Sequence, residues 1–234
     1  MAVCFCTLAI HAPYRKRARS LCANPACAPW VVLTDEPDDF ADLPVRAIHH
    51  EPTGPMAIDY LHRLAPAERG RGAGAAYHDK RFAVQAALQE HDTAIFFDAD
   101  SSFDDLPRID AFPPGLAVLP VFDNSIAAHL ETWGSWRLPA FTELARELTG
   151  DPAILHAARW CQEACYAVTK DGNEPRFFSA WEHGADFLQR KGMASGEGGV
   201  MGLAAACAGW TIDYNVLAPL LPFVHHQGGG PKES

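Results

Sequence analysis

A chain of 234 residues, 48% of them hydrophobic, is long enough for one α/β domain with a sizeable core. Its formal net charge of −10, with no large basic block, sets nucleic-acid binding aside. No apolar run approaches the roughly 20 residues of a membrane span, and the cations Arg15, Lys16, Arg17 and Arg19 follow the apolar start instead of preceding it, unlike a signal peptide. The expected location is therefore cytoplasmic, with no transmembrane segment.

Ala2 to Ile10 reads as a first buried strand, followed by a loop and a short basic helix from Arg15 to Leu21. The first strand-to-helix loop of an α/β fold commonly faces a phosphate. Thr7 and the Arg/Lys cluster are candidate contacts, or that cluster is a solvated helix face. Seven cysteines, an odd number, read as free thiols. Cys4 and Cys6 alternate on one strand face, and Cys161 and Cys165 stand at helical spacing. Cys22-x4-Cys27 matches no structural zinc pattern, so small buried hydrophobes are the expected role.

Trp30 to Thr34 is a second strand, ending in Thr34-Asp35, and Val45 to Ile48 a third, ending at His49-His50. Those two imidazoles are expected at the surface. Pro52 to Ala76 is irregular, with Arg69 and Arg71 in a Gly-rich run that lacks phosphate-loop spacing. Tyr77 to His91 is a helix with Lys80 and Arg81 in its first turn. Cations there oppose the helix dipole, so an anion must compensate, and a phosphate would do so.

The helix leads into Ala94 to Phe97, an apolar strand ending in Asp98-Ala99-Asp100. Strand alternation puts Asp98 and Asp100 on one side, where like charges repel unless a hard cation sits between them. The carboxyl ends of α/β strands are where ligands bind, so a divalent metal carrying a phosphorylated ligand is the first reading; a solvated acidic turn is the other.

Further strands are expected at Leu116 to Phe122, Tyr166 to Thr169 and Thr211 to Leu217. Helices are expected at Phe141 to Leu148, Ala153 to Cys161, Phe177 to Lys191 and Gly198 to Gly209, the last small enough in its residues to pack closely on the sheet. Trp133, Trp136, Trp160 and Trp181 are either sugar-stacking faces or core. The tail ends in His225-His226-x-x-Gly229-x-x-Lys232.

The strand ending in D-x-D, a basic residue on the preceding helix and the late H-x-x-G-x-x-K together resemble a known group. So does the opening from Thr7-Leu8 to Tyr14. The chain resembles the GT-A nucleotide-sugar glycosyltransferases, closest in pattern to the glycogenin-like family. It departs from that family in lacking the Asn-x-Gly strand, unless Glu163 to Val168 replaces it, and the tryptophan after the lysine-proline.

The resemblance implies a Rossmann-like, mixed and mostly parallel sheet flanked by helices, as one α/β domain over residues 1–234. It implies transfer of a sugar from a nucleotide-diphosphate donor to an acceptor hydroxyl. Asp98, Asp100 and His226 would hold Mn²⁺ or Mg²⁺. Thr7, Thr34, Asp35, Lys80, Arg81 and Lys232 would lie near the nucleotide and diphosphate, and Glu197 would be a base or an acceptor contact, or else an acid that only caps a helix start. Two rival readings stand beside it. One is a haloacid-dehalogenase-like phosphatase with Asp98 as nucleophile, Asp100 as acid and Ser102 after them. The other is a non-catalytic sugar-nucleotide-binding protein.

Overall fold

A computed structural model describes residues 2–24, 29–53, 77–103, 109, 111–121, 124–191, 193 and 196–226. The chain opens with β1 (Val3–Ala9), α1 (Ala12–Cys22), β2 (Trp30–Thr34) and β3 (Val45–His49). After the undescribed 54–76 come α2 (Lys80–Leu88), β4 (Thr93–Phe97), β5 (Ser101–Phe103) and β6 (Gly115–Val118). Then follow α3 (Ile126–Trp133), α4 (Leu138–Thr149), α5 (Ile154–Ala157), β7 (Cys165–Thr169), α6 (Glu174–Arg190), α7 (Glu197–Ala208) and β8 (Val224–His226).

Six strands form one sheet in the order β3-β2-β1-β4-β7-β6. β3, β2, β1 and β4 run parallel, and β7 runs antiparallel to both of its neighbours. The architecture is a Rossmann-like, mixed and mostly parallel sheet flanked by helices. β2, β4 and β7 are buried along their whole length, as near-continuous apolar runs in a sheet covered on both faces require. β3 lies at the edge and is half-buried.

The strand period of two sorts side chains between the faces. Cys4, Cys6, Val31, Leu33 and Phe96 meet Ala83, Val84, Ala87 and Leu88 of α2. Trp30, Val32, Ile95 and Phe97 meet Ala18, Leu21 and Cys22 of α1 on the other face. Each large apolar side chain so buried contributes roughly 1.5–3 kcal/mol relative to exposure. No described helix is long and apolar enough to cross a membrane.

β5 and β8 form a separate two-stranded antiparallel sheet with Ser101 opposite His226 and Ser102 opposite His225. This return of the C-terminal chain to the end of β4 is the fold's main surprise in detail, because neither strand shows a periodic run of its own. Other boundaries also differ from expectation. Thr211 to Leu217 is not a strand; only Asp213 bridges to Ala117, beside β6. β6 stops at Val118, ahead of Pro120, which cannot donate to a ladder. The helix expected through Cys161 closes at Ala157, so Cys161 and Cys165 share no helix.

α7 is buried on nearly every side and packs on α6 and on the chain before β7 instead of lying flat on the sheet. A Cβ on Gly184 of α6 would come 2.6 Å from Val200 of α7, and one on Gly199 would come 2.6 Å from Phe141. Glycine permits these approaches.

Candidate functional site at the carboxyl end of β4

α2 begins with a cation that opposes its dipole, and two protein carboxylates stand beside it. Lys80 Nζ lies 2.7 Å from Asp98 Oδ1 and 2.5 Å from Glu197 Oε1. It also reaches the Glu163 carbonyl at 3.4 Å and stands 5.6 Å from the centroid of the Phe96 ring. Lys80 and Glu197 are buried, and Asp98, at 18% side-chain exposure, is the member that meets solvent.

Four backbone segments assemble the cluster. The Asp98 N–H donates to the Ala164 carbonyl at 2.9 Å, which carries the β4–β7 ladder one step past β4. The Gly198 N–H donates to Glu163 Oε1 at 2.7 Å, which ties the first turn of α7 to the chain before β7. Burial pushes the Glu197 carboxyl up to about 8; Lys80 pulls against this, while Glu163 and Asp98 add to it. Burial also raises Glu163. Burial works to lower Lys80, but Asp98, Glu197 and Glu163 outweigh it and hold the ammonium charged. Three carboxyls around one ammonium favour retaining a proton at neutral pH. The Tyr166 hydroxyl is buried on the same face, with no hydrogen-bond partner among the described residues.

Asp100 goes elsewhere. β4 ends at Phe97, and residues 98–101 form a turn in which the Ser101 N–H donates to the Asp98 carbonyl at 2.9 Å. Alternation stops where the strand stops, so the expectation that both acids share a side does not hold. Asp100 Oδ2 lies 3.6 Å from an Arg17 guanidinium nitrogen on α1, which packs on the opposite face of the sheet from α2. A cavity of about 450 Å³ lies there, lined by Arg17, Ser20, Asn24, Asp100, Ser101 and Ser102 among others.

The metal set implied by the resemblance is therefore divided. Among the described residues no group of three His, Cys, Asp or Glu side chains is placed to hold an ion. Asp98 has one oxygen committed to Lys80. Asp100 and His226 are brought together as chain positions, since His226 pairs with the residue after Asp100. The carboxylate is a donor that suits Mn²⁺ or Mg²⁺, and the imidazole is a common donor to divalent first-row metals. The imidazoles of His225 and His226 lie outside the described residues, as do Lys232, Cys27, Arg69 and Arg71.

The remaining candidates are placed as follows. Thr7 is fully buried inside β1, two residues short of its end, with its hydroxyl unpartnered among the described residues. Thr34 is also fully buried, and its hydroxyl accepts from the Glu36 N–H at 3.3 Å. Asp35 accepts from the His11 N–H at 3.1 Å and from Arg15 at 2.8 Å; these bonds outweigh the effect of burial and hold its carboxyl below the usual range.

Arg81 faces Asp79 at 3.7 Å and Glu182 at 4.0 Å, and its guanidinium lies 4.0 Å from the centroid of the Phe82 ring. The basic face of α1 is mostly paired: Arg15 with Asp35 and Asp39, Arg19 with Asp42. Trp160 and Trp181 are core, and Trp160 stacks on His129 at 3.8 Å; Trp133 and Trp136 are exposed.

Two groups take parts that their sequence positions did not announce. Glu163 is a lone acid ahead of a strand. His50, expected as a surface imidazole, instead sits 3.0 Å from buried Asp79, which also accepts from the Thr53 N–H at 2.7 Å. These bonds outweigh the effect of burial and hold Asp79 low.

No protein-family model matches this chain, and no curated protein matches it in sequence.

Proposed function

We propose that the chain is a metal-dependent glycosyltransferase, moving a sugar from a nucleotide-diphosphate donor to an acceptor hydroxyl. The observation that carries this reading is the antiparallel pairing of Ser101 with His226. It joins the late histidine of the C-terminal motif to the acidic turn at the carboxyl end of β4, where α/β folds bind ligands. The cavity against Asp100 supports it, being of a size for part of a small polar ligand.

In this reading Asp100 and His226 hold Mn²⁺ or Mg²⁺, which when bound neutralises charge gathering on the departing diphosphate. Lys80 keeps Asp98 and Glu197 in fixed positions, so no side chain has to reorganise during transfer. The bond from the sugar C1 to the phosphate oxygen breaks and a bond from C1 to the acceptor oxygen forms. The acceptor's proton passes to the ionised form of Glu197; burial raises this carboxyl to about 8, so that form, and turnover with it, is expected to grow as pH rises toward 8. Asp98 marks the side from which the acceptor approaches, because there the cluster meets solvent.

A screen of UDP- and GDP-sugars for Mn²⁺-dependent hydrolysis tests the proposal without knowledge of the acceptor. Release of the sugar, lost in Asp100→Ala, is the expected result. Metal-dependent binding without turnover would favour a sugar-nucleotide-binding protein. Phosphate release from p-nitrophenyl phosphate, abolished by Asp98→Asn, would favour the phosphatase.

A further inference from the structure

α7 starts without a side-chain cap of its own. Its N-cap is Gly196, at φ +115°, a backbone setting that L side chains rarely adopt. The Gly198 N–H in the first turn instead donates to the Glu163 carboxylate at 2.7 Å, and the Cys161 N–H donates back to the Gly198 carbonyl at 3.1 Å. Residues 161–163 and the first turn of α7 are thus locked by two reciprocal bonds. A Cβ on Gly198 would stand 2.8 Å from Glu163 Oε1 and 2.6 Å from Trp160 Nε1, so the carboxylate approaches this closely only because residue 198 is glycine. Glu197 is the residue just before this lock, and its Oε1 meets Lys80, which also reaches the Glu163 carbonyl.

We propose that Glu163 is the positioning residue for Glu197: its carboxylate supplies the cap that Gly196 cannot, and so fixes where the Glu197 carboxyl stands beside Lys80 and Asp98. This rests on the reading of Glu197 as the group that takes the acceptor's proton. Glu163 itself touches neither donor nor acceptor in this scheme. Its side chain acts through the backbone of α7, on a rigid helix start.

The bond needs only an oxygen acceptor, so charge and cap are separable by substitution. Glu163→Gln keeps a side-chain oxygen for the Gly198 N–H; Glu163→Ala removes it. With a donor sugar identified by the hydrolysis screen, Glu163→Ala is expected to lower kcat by about 10- to 100-fold while donor KM stays within about twofold. Glu163→Gln is expected to restore kcat to within about threefold of wild type. If the alanine variant does not fold, Glu163→Met keeps the bulk, removes the acceptor, and carries the same expectation.

Wild-type kcat in the alanine or methionine variant overturns the proposal, as does a glutamine variant impaired as badly as alanine. Glu197→Gln separates the two layers. If it retains wild-type kcat, the base assignment fails and the positioning role has nothing to act on. If it is inactive while Glu163→Ala is normal, only the positioning claim fails. Should no donor be turned over, a crystal structure of Glu163→Ala decides. Loss of the Glu197–Lys80 contact supports the proposal, and its retention overturns it.

Discussion

Asp98 and Asp100 carry the same side chain two residues apart, yet they belong to different chemistry. Asp98 continues the β4–β7 ladder by one bond and joins a buried network with Lys80 and Glu197. Asp100, within the turn, meets a half-exposed Arg17 at 3.6 Å beside a cavity and the returning C-terminal strand. The first environment fixes groups and shifts proton affinities; the second, though Asp100 is no more exposed than Asp98, sets a carboxylate in the wall of a cavity. A pair that looks symmetric in sequence thus divides into an anchoring acid and a binding acid.

The largest effect that would sharpen this contrast is at Lys80. Lys80→Met leaves Asp98 and Glu197 without their shared cation and is expected to cost about 3–5 kcal/mol in urea denaturation. A loss below about 1 kcal/mol would show that the network is not the structural centre assumed for it. Next comes the acid pair itself. Asp98→Asn, which weakens a buried ion pair, is expected to cost about 1–3 kcal/mol. Asp100→Asn is expected to leave stability nearly unchanged and to weaken metal-dependent nucleotide binding; equal stability losses in both variants would erase the distinction.

A smaller effect concerns pH. Glu197 is raised from 4.5 to about 8, so the folded state binds a proton that the unfolded state has lost between those values. That contribution to stability is present below about pH 4.5 and is lost as pH rises through about 8. The midpoint of thermal unfolding in the wild type should therefore decline across this range relative to Glu197→Gln. Parallel profiles for the two proteins would argue against a protonated Glu197. The smallest effect is at Arg17, half-exposed and screened, where Arg17→Met should cost less than about 1 kcal/mol.

The sheet was legible because a doubly covered parallel strand leaves a compact apolar run: Trp30 to Thr34 and Ala94 to Phe97 lie within a residue of the strands observed. The site was legible in part. Lys80 and Arg81 at a helix start correctly signalled a need for negative charge. Part of that charge is near in sequence, in Asp98 for Lys80 and Asp79 for Arg81, but Glu197 comes from 117 residues away, a separation that helix electrostatics cannot reveal. Alternation at Asp98-Ala99-Asp100 misled because the strand ended first, and a turn obeys no period of two. The part Glu163 plays was invisible because it is a bond to one backbone N–H, which leaves no residue pattern. The β5–β8 pairing followed from no periodicity; only the H-x-x-G-x-x-K resemblance hinted that the tail returns.

The most direct test of the central claim is a calorimetric titration of UDP and GDP, with and without Mn²⁺, into wild type, Asp100→Ala and His226→Ala. Mn²⁺-dependent binding of one nucleotide in the wild type, lost in both variants, is the result this account predicts. Binding that ignores Mn²⁺, or that survives both substitutions unchanged, would contradict it.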